Sequence, residues 1–247
     1  METSSTPPRN NRITKGEMSS SGAQWARHVV DRVLEVFPNQ ERYTVAAGGS
    51  PSGSVHFGNM RDIMTTLFVY EEIKSRGLNG RFIYSWDDFD RFRKVPKTLD
   101  ASFAEHIGKP LTAIPDPYGE FSSYAERYER ELEASIAQLG VEVEYRRQSE
   151  LYRSGAYVEE IVCALKKRDI IGRQLLDAMS EKAKAKKGIE EESFLESYYP
   201  IAVYSRFSEK DATQILEYDG EYGVTYFCKI TKQTETVDLR TSGCVKL

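Results

Sequence analysis

A short glycine-rich turn between an apolar strand and a helix constrains the fold of this chain more than any other feature. The turn runs from Ala47 to Asn59 with the sequence AGGSPSGSVHFGN, directly after an apolar run that begins at Tyr43. Apolar residues at helical spacing follow it: Met60, Ile63, Met64, Leu67 and Phe68. Such a turn brings backbone N–H groups and the helix N-terminus against an anion. The sequence therefore predicts an anion site in an α/β fold.

The turn matches neither of the two common phosphate-binding glycine patterns. No Gly-Lys-Ser/Thr follows it, as a P-loop requires, and its glycines do not have GxGxxG spacing. Glycines alone favour a purely structural loop. His56, two residues before Gly58, changes that balance because an imidazole at the start of a helix can donate an N–H group to phosphate. Such a donor suits the stabilisation of charge on a transferring or departing phosphate.

Composition excludes several classes of protein. The 247 residues carry a net charge of −4, which excludes an overall basic signature for nucleic acid but not a local basic face. Cys163, Cys228 and Cys244 lie far apart, so neither a disulfide framework nor a cysteine-rich zinc site is expected. No stretch approaches the ~18 apolar residues of a membrane span, and no signal peptide is recognisable. We predict a cytoplasmic protein without a membrane partner.

The first part of the chain predicts a parallel βαβ unit. Residues 1–22, rich in Ser, Thr, Asn and Pro, are predicted to form a disordered tail. Helical spacing predicts an amphipathic helix from Ala23 to Phe37. A strand from Tyr43 to Ala47, a helix from Gly58 to Ser75 and a strand from Arg81 to Trp86 complete the unit.

The rest of the chain changes in texture after Pro96. Periodicity predicts helices from Phe121 to Leu139 and from Tyr157 to Met179, with a strand at 141–145 between them. The charged stretch at 181–192 favours a solvated helix end or linker over a phosphate-binding surface. Four short strands then predict a small antiparallel meander, at residues 201–204, 214–218, 224–227 and 235–239.

A second dense run, WDDFDRFRKVP, extends from Trp86 to Pro96. Asp87, Asp88 and Asp90 follow a predicted parallel strand, at the edge where open α/β sheets bind ligands. A cationic group or a ribose could be bound there. On charge alone, a solvated loop of ion pairs is an equal alternative.

Together the two runs resemble one known family, the class I lysyl-tRNA synthetases. The segment GGSPSGSVHFGN is similar to the family's signature region, and His56-Phe57-Gly58-Asn59 resembles its H-x-G-N form. WDDFDRFRKVP is close to the family's own sequence and speaks against an unrelated nucleotidyltransferase. QWARHVVDRV, PDPYGEFSSYAERY, SELY and ILEYDGEYGVTYFC also fit, so the resemblance extends from Gln24 to Leu247.

The resemblance implies an α/β fold with a defined domain order. Residues 23–96 would form the first half of a nucleotide-binding, Rossmann-like catalytic domain. Residues 97–247 would form an α+β connective insertion, helical at 118–180 and with the antiparallel meander at 199–240. This insertion would contact the acceptor end of tRNA(Lys).

The resemblance also implies ATP-dependent activation of L-lysine to lysyl-adenylate and its transfer to tRNA. ATP, accompanied by Mg²⁺, would bind the signature, with His56 and Asn59 as catalytic residues. The ATP-binding residues would be Pro51, Ser52, Gly53, His56, Gly58 and Asn59. Gly48 and Ser50 occupy positions where the family binds lysine, and Asp87 and Asp88 are candidates for substrate or structural contact. Of the loop cysteines that the family often carries, only Cys228 is present, so neither zinc nor another metal ligand set is expected.

Family members continue with a second half of the sheet and a KMSKS loop, neither of which these 247 residues contain. We therefore expect that this chain alone does not aminoacylate tRNA at a useful rate. Two alternatives stay open. One is a catalytically inactive, truncated paralogue that binds nucleotide, lysine or the tRNA acceptor end. The other is one chain of a split enzyme whose second chain supplies the other catalytic half.

Overall fold

A parallel βαβ unit begins the fold, as the sequence predicts. The computed structural model describes residues 24–247, and the tail predicted at 1–22 lies outside the described residues. The first helix is α1 (Gln24–Val36). The strand β1 (Tyr43–Gly49) then leads through the glycine-rich turn to α2 (Phe57–Ser75) and β2 (Gly80–Trp86). β1 and β2 pair in parallel, and β1 continues two residues beyond its predicted end at Ala47.

A third parallel strand extends this sheet. α3 (Tyr124–Ala137) is followed by β3 (Glu144–Arg147), which pairs in parallel with β2 and gives the strand order β1-β2-β3. The sequence predicted a strand at 141–145 but did not assign it to the parallel sheet, because strand pairing between distant segments leaves no local pattern. The domain boundary at residue 96 stays a prediction, although the sheet itself includes β3 from beyond it.

α3 begins three residues later than predicted, at Tyr124 instead of Phe121, because Ser123 caps it. The Ser123 hydroxyl accepts a hydrogen bond from the backbone N–H of Glu126 at 3.1 Å. Such a cap satisfies one of the N–H groups that the first helical turn leaves without a partner.

Helices cover one face of the sheet. Side chains from α2, α3 and the strands form one apolar core there: Ile63, Leu67, Tyr70, Phe82, Tyr84, Trp86, Leu132 and Ile136. Val30 of α1 extends this layer against Tyr43 and Ile73. On the opposite face of β1, Thr44, Ala46 and Gly48 are exposed in the part of the chain that the structure describes. Parallel sheets are usually covered on both faces, so this open face is a notable feature beside the predicted site.

Five helices follow β3. They are α4 (Gln148–Arg153), α5 (Val158–Lys166), α6 (Arg168–Ala178), α7 (Glu181–Lys187) and α8 (Glu191–Ser197). The single helix predicted from Tyr157 to Met179 is wrong, because the backbone leaves helical geometry at Lys167. The charged stretch at 181–192 is mostly helical, as α7 and the start of α8.

The antiparallel meander is confirmed for three of its four predicted strands. After the short strand β4 (Ala202–Val203) come β5 (Thr213–Tyr218), β6 (Gly223–Cys228) and β7 (Thr234–Asp238). These last three strands form the meander. β4 instead pairs with β8 (Val245–Lys246) in a separate two-stranded sheet. The buried alternate residues of β6 pack with Ile161 and Leu165 of α5 in a second core. Among residues 24–247, no helix has both the length and the apolar character needed to cross a membrane.

A buried ion pair orders the segment that leads into α3. Asp116 accepts hydrogen bonds from the backbone N–H groups of Glu120 at 2.7 Å and of Phe121 at 2.9 Å. The Arg127 guanidinium donates two further hydrogen bonds to this carboxylate, one of them 3.0 Å long. The Arg127 guanidinium lies over the Tyr118 and Phe121 rings. Hydrogen bonding to Arg127 holds the pKa of Asp116 well below its usual range. The carboxylate is therefore charged in the fold and fully paired.

We expect Asp116→Ala to lower the free energy of unfolding by about 2–4 kcal/mol, because it leaves Arg127 and several N–H groups without their partner. Urea unfolding at neutral pH measures this. Asp100→Ala is the matched control, since Asp100 also accepts a backbone N–H, from Ser102, but is exposed. Equal losses for the two variants would contradict the prediction.

Candidate functional site

The carboxyl ends of β1 and β2 meet at the predicted site. The backbone N–H of Asp87, just after β2, donates to the carbonyl oxygen of Gly49 at 2.9 Å. A Cβ at position 48 would lie 2.8 Å from the Ser85 carbonyl oxygen, and one at position 49 would lie 3.0 Å from the Tyr84 hydroxyl. The close packing of the two strands therefore requires glycine at position 48, and at position 49 a side chain would have to displace the Tyr84 hydroxyl. Both glycines belong to β1.

The turn from Ser50 to Val55 forms the loop between β1 and α2. The backbone N–H of Ser52 donates to the Ser50 carbonyl at 2.8 Å, which tightens the start of the loop around buried Pro51. The Tyr124 hydroxyl, from the start of α3, donates to the Ser52 carbonyl at 2.8 Å. A Cβ at Gly53 would meet no atom within 4 Å, so the outer side of the loop is open. Ser50, Pro51, Ser52 and Gly53, all predicted site residues, thus share one loop.

His56 caps α2 through a reciprocal pair of hydrogen bonds. Its Nδ1 accepts the backbone N–H of Gly58 at 3.1 Å, and the Asn59 Oδ1 accepts the backbone N–H of His56 at 3.2 Å. Since Nδ1 is the acceptor, the ring proton is on Nε2. A Cβ at position 58 would lie 2.9 Å from His56 Cε1, so only glycine leaves room for the capping ring.

This arrangement can bind an anion. The exposed His56 carries its donor Nε2–H at the N-terminus of a 19-residue helix. The positive end of the helix dipole and the N–H groups of the first turn point the same way. The structure therefore brings His56, Gly58 and Asn59 together with the Ser50–Gly53 loop at one edge of the sheet.

The two predicted aspartates have different surroundings. Asp88 is only 1% exposed, and its Oδ1 accepts the backbone N–H of Ser149 at 2.8 Å while its Oδ2 accepts the Ser149 hydroxyl. Burial raises the pKa of Asp88, and the hydrogen bonds from Ser149 oppose that rise. Asp88 therefore joins the end of β2 to α4 and does not face solvent. The alternative of a solvated ion-pair loop is wrong for this residue.

Asp87 is exposed and lies next to the end of β1. Partial desolvation raises its pKa, with a further rise from Asp90 and an opposing effect from Lys246. Lys246 is itself paired with Asp90 at 2.6 Å. Of the two predicted aspartates, Asp87 is thus the one that a bound ligand can reach.

A buried ionic cluster supports the site from behind, and the sequence analysis missed it. Arg147, at the end of β3, donates to Glu129 at 2.7 Å and to Glu133 at 2.8 Å. The indole N–H of Trp86 donates to the same Glu133 oxygen at 3.1 Å. The spacing of Glu129 and Glu133, one helical turn apart on α3, is visible in the sequence. Their partners are not, because Arg147 and Trp86 lie on the strands β3 and β2.

No three His, Cys, Asp or Glu side chains in the described range of 24–247 are grouped so that they could hold a metal ion. The prediction that no zinc is bound stays a prediction. Cys163, Cys228 and Cys244 are free thiols.

Comparison with known proteins gives a consistent result. The sequence profile of a family described as tRNA synthetases class I (K) matches residues 23–247. A lysine–tRNA ligase from Thermococcus kodakarensis is 38% identical over 223 residues, which is 90% of this chain and 41% of that protein. Ligases of the same name from Treponema pallidum and Streptomyces coelicolor are 34% and 36% identical, each again over 90% of this chain.

These alignments cover most of this chain but less than half of each relative. The relatives from Treponema pallidum and Streptomyces coelicolor are covered over 41% and 43% of their own length. The chain thus spans about two fifths of the length of the curated relatives that it matches.

The ionic cluster predicts a pH-dependent stability. Burial raises the pKa of Glu129 to about 7, against an opposing effect from Arg147. The folded state therefore binds this proton more tightly than the unfolded state, so the contribution to stability is full below the ordinary glutamate pKa and is lost as the pH rises towards and through about 7. Glu129→Gln should remove this loss, because glutamine does not titrate. The slope of unfolding free energy against pH should then differ from that of the wild type by up to about 1.4 kcal/mol per pH unit.

Urea unfolding of both proteins across this pH range measures the difference in slope. Glu131→Gln, at an exposed position of the same helix, is the control and should keep the wild-type slope. Parallel curves for wild type and Glu129→Gln would contradict the prediction.

Proposed function

The chain belongs to the family of class I tRNA synthetases (K), and from this premise we propose that its site takes part in the ATP-dependent activation of L-lysine for transfer to tRNA(Lys). The observation that carries the proposal is the geometry of His56. Its Nδ1 is fixed by the cap of α2, so that its Nε2–H is available to an anion. The identities of the two substrates in this proposal, lysine and tRNA, are taken from the names of the relatives.

In this proposal the triphosphate of ATP binds at the N-terminus of α2. The Pro51–Gly53 loop and the first turn of α2 offer backbone N–H groups, and Gly58 keeps the approach open. Mg²⁺ would accompany ATP as part of the substrate, where it would neutralise part of the triphosphate charge. The lysine carboxylate attacks the α-phosphorus, lysyl-adenylate forms and pyrophosphate leaves. His56 Nε2–H, with the N–H groups of the Asn59 amide, stabilises the charge that grows on the phosphate oxygens.

We place lysine at the carboxyl end of β1, beside Gly48 and Ser50. Gly48 is exposed at this edge of the sheet, and the Ser50 hydroxyl can donate a hydrogen bond to the substrate. Asp87 follows the neighbouring strand and is hydrogen-bonded to Gly49 through its backbone. Its exposed carboxylate is suited to an ammonium group, because charge-assisted hydrogen bonds are the stronger ones. Asp88 serves this site only by fixing α4 to β2.

The remaining parts of the proposal follow the family. Residues 97–247 would contact the acceptor end of tRNA(Lys), and the cytoplasm is the compartment in which such a reaction takes place. These assignments rest on the resemblance and on the names of the relatives.

The second candidate function is binding without catalysis, either by this chain alone or as one of two chains. One observation favours it. The open face of β1 and the apolar groove next to His56 are uncovered in the described residues, and the Phe57 ring there is 87% exposed. Met60, Met64 and Phe68 line the same groove. Exposed apolar surface of this kind is typical of a surface that another protein segment covers.

Lysine-dependent exchange of pyrophosphate into ATP tests the proposed function, together with direct measurement of ATP binding. We expect the 247-residue chain to bind ATP but to exchange at least roughly 10²-fold more slowly than the Thermococcus kodakarensis relative, because one side of the site is uncovered. His56→Asn should weaken ATP binding by roughly tenfold while the stability stays close to wild type, since asparagine also caps helices well.

His28→Asn is the matched control, because His28 is exposed on α1, away from the α2 cap. Absence of ATP binding by the wild-type chain would refute the nucleotide site. Exchange at the rate of the relative would instead refute the expectation that the isolated chain is slow.

The two aspartates separate substrate contact from structural support. We expect Asp87→Asn to weaken lysine binding by roughly tenfold without loss of stability, because it removes the exposed charge. Asp88→Asn should lower the free energy of unfolding by about 1–3 kcal/mol, since the asparagine amide has one acceptor oxygen and can accept only one of the two hydrogen bonds from Ser149. Calorimetric titration with lysine and urea unfolding of both variants measure this, and a reversed pattern would contradict the assignment.

A further inference from the structure

We propose that Tyr124 is a positioning residue for the nucleotide-binding loop. Its hydroxyl holds the Ser52 carbonyl, and this orients the Ser52–Gly53 peptide so that the Gly53 N–H faces the bound phosphates. This inference deepens the proposed function and rests on it. Tyr124 lies 72 residues beyond Ser52 in the chain and follows a segment that contains Pro110, Pro115 and Pro117. No sequence pattern marked it as more than a core residue of a helix.

The hydroxyl of Tyr124 is held firmly in place. The side chain is fully buried, and its ring packs edge-on against Phe92 and Tyr128, with centroids 5.5 and 4.8 Å away. The backbone N–H of Tyr124 donates to the Ile114 carbonyl at 2.9 Å. Burial raises the pKa of Tyr124, so the hydroxyl keeps its proton and remains a donor at neutral pH.

The hydrogen bond to Ser52 sets the direction of a peptide unit. The peptide is trans, since the described residues contain no cis peptide bond. In a planar trans peptide the C=O and N–H groups point in opposite directions. Because the Ser52 carbonyl points at Tyr124, the N–H of Gly53 points away from α3. A Cβ added on Gly53 would also meet nothing within 4 Å, so there is free space beside this residue.

A second tyrosine packs against Tyr124 one helical turn later. Tyr128 is buried on the same face of α3, and its ring lies edge-on to the ring of Tyr124. The face of α3 that carries Tyr124 therefore backs the loop at Ser52. The Asp116–Arg127 pair, at the start of this helix, keeps that face in position.

Tyr124→Phe tests the proposal, because it removes the hydroxyl and keeps the buried ring. Tyr43→Phe is the matched control: Tyr43 is also buried, and its hydroxyl donates to the Phe37 carbonyl at 3.1 Å, at the opposite end of β1. Three quantities are measured for wild type and both variants. They are the hydrogen exchange of the backbone amides at 52–57, the Kd for ATP, and the midpoint of thermal unfolding without ligand.

We expect Tyr124→Phe to speed amide exchange at 52–57 by roughly tenfold and to raise the Kd for ATP by roughly tenfold, in line with the loss of one buried hydrogen bond. Tyr43→Phe should change neither quantity, although both variants lower the unfolding midpoint. A merely structural role would lower the midpoint of Tyr124→Phe and leave its exchange at 52–57 and its Kd like those of Tyr43→Phe, which would overturn the proposal. Faster exchange with an unchanged Kd would also overturn it.

The test separates this inference from the proposed function. If the wild-type chain binds no ATP, the proposed function fails. The rate of amide hydrogen exchange at 52–57 then tests by itself whether Tyr124 positions the loop. Equal rates in Tyr124→Phe and Tyr43→Phe would contradict that role.

Discussion

Parallel pairing of β1 with β2 is the constraint on which the candidate site depends. The pairing places Gly49 opposite Trp86, so the glycine-rich turn and the aspartate-rich run leave the sheet at the same edge. The bond from the Asp87 N–H to the Gly49 carbonyl closes that edge. A shift of the register would separate the two runs and would also bring side chains against the close contacts made by Gly48 and Gly49.

His56 combines a structural and a chemical role in one side chain. The cap uses Nδ1, and this use determines that Nε2 carries the proton that an anion requires. Gly58 is needed for the same reason, because the capping ring occupies the space of a Cβ. The capping of α2 and the exposure of an Nε2–H donor therefore depend on the same local geometry, although they use different atoms of the imidazole.

α3 holds the site from behind through contacts that differ in kind. Its first turn meets the loop through Tyr124, and its middle meets β2 and β3 through Glu129, Glu133 and Arg147. The buried charges are paired, as the low-dielectric interior requires. One face of the sheet is thus firmly supported, while the other face of β1 is open in the described residues.

Local patterns in the sequence determined the βαβ unit, the helix that begins at the signature, three of the four strands predicted for the meander and, by resemblance, the family. Each of these depends on residues close together in the chain, where periodicity and caps act. Only the tertiary structure decided that β3 joins the parallel sheet, that Asp88 is buried against Ser149 while Asp87 is exposed, and that Tyr124 reaches Ser52. These contacts join segments about 60 to 70 residues apart, and packing between distant segments is the interaction that leaves no periodic trace in a single sequence.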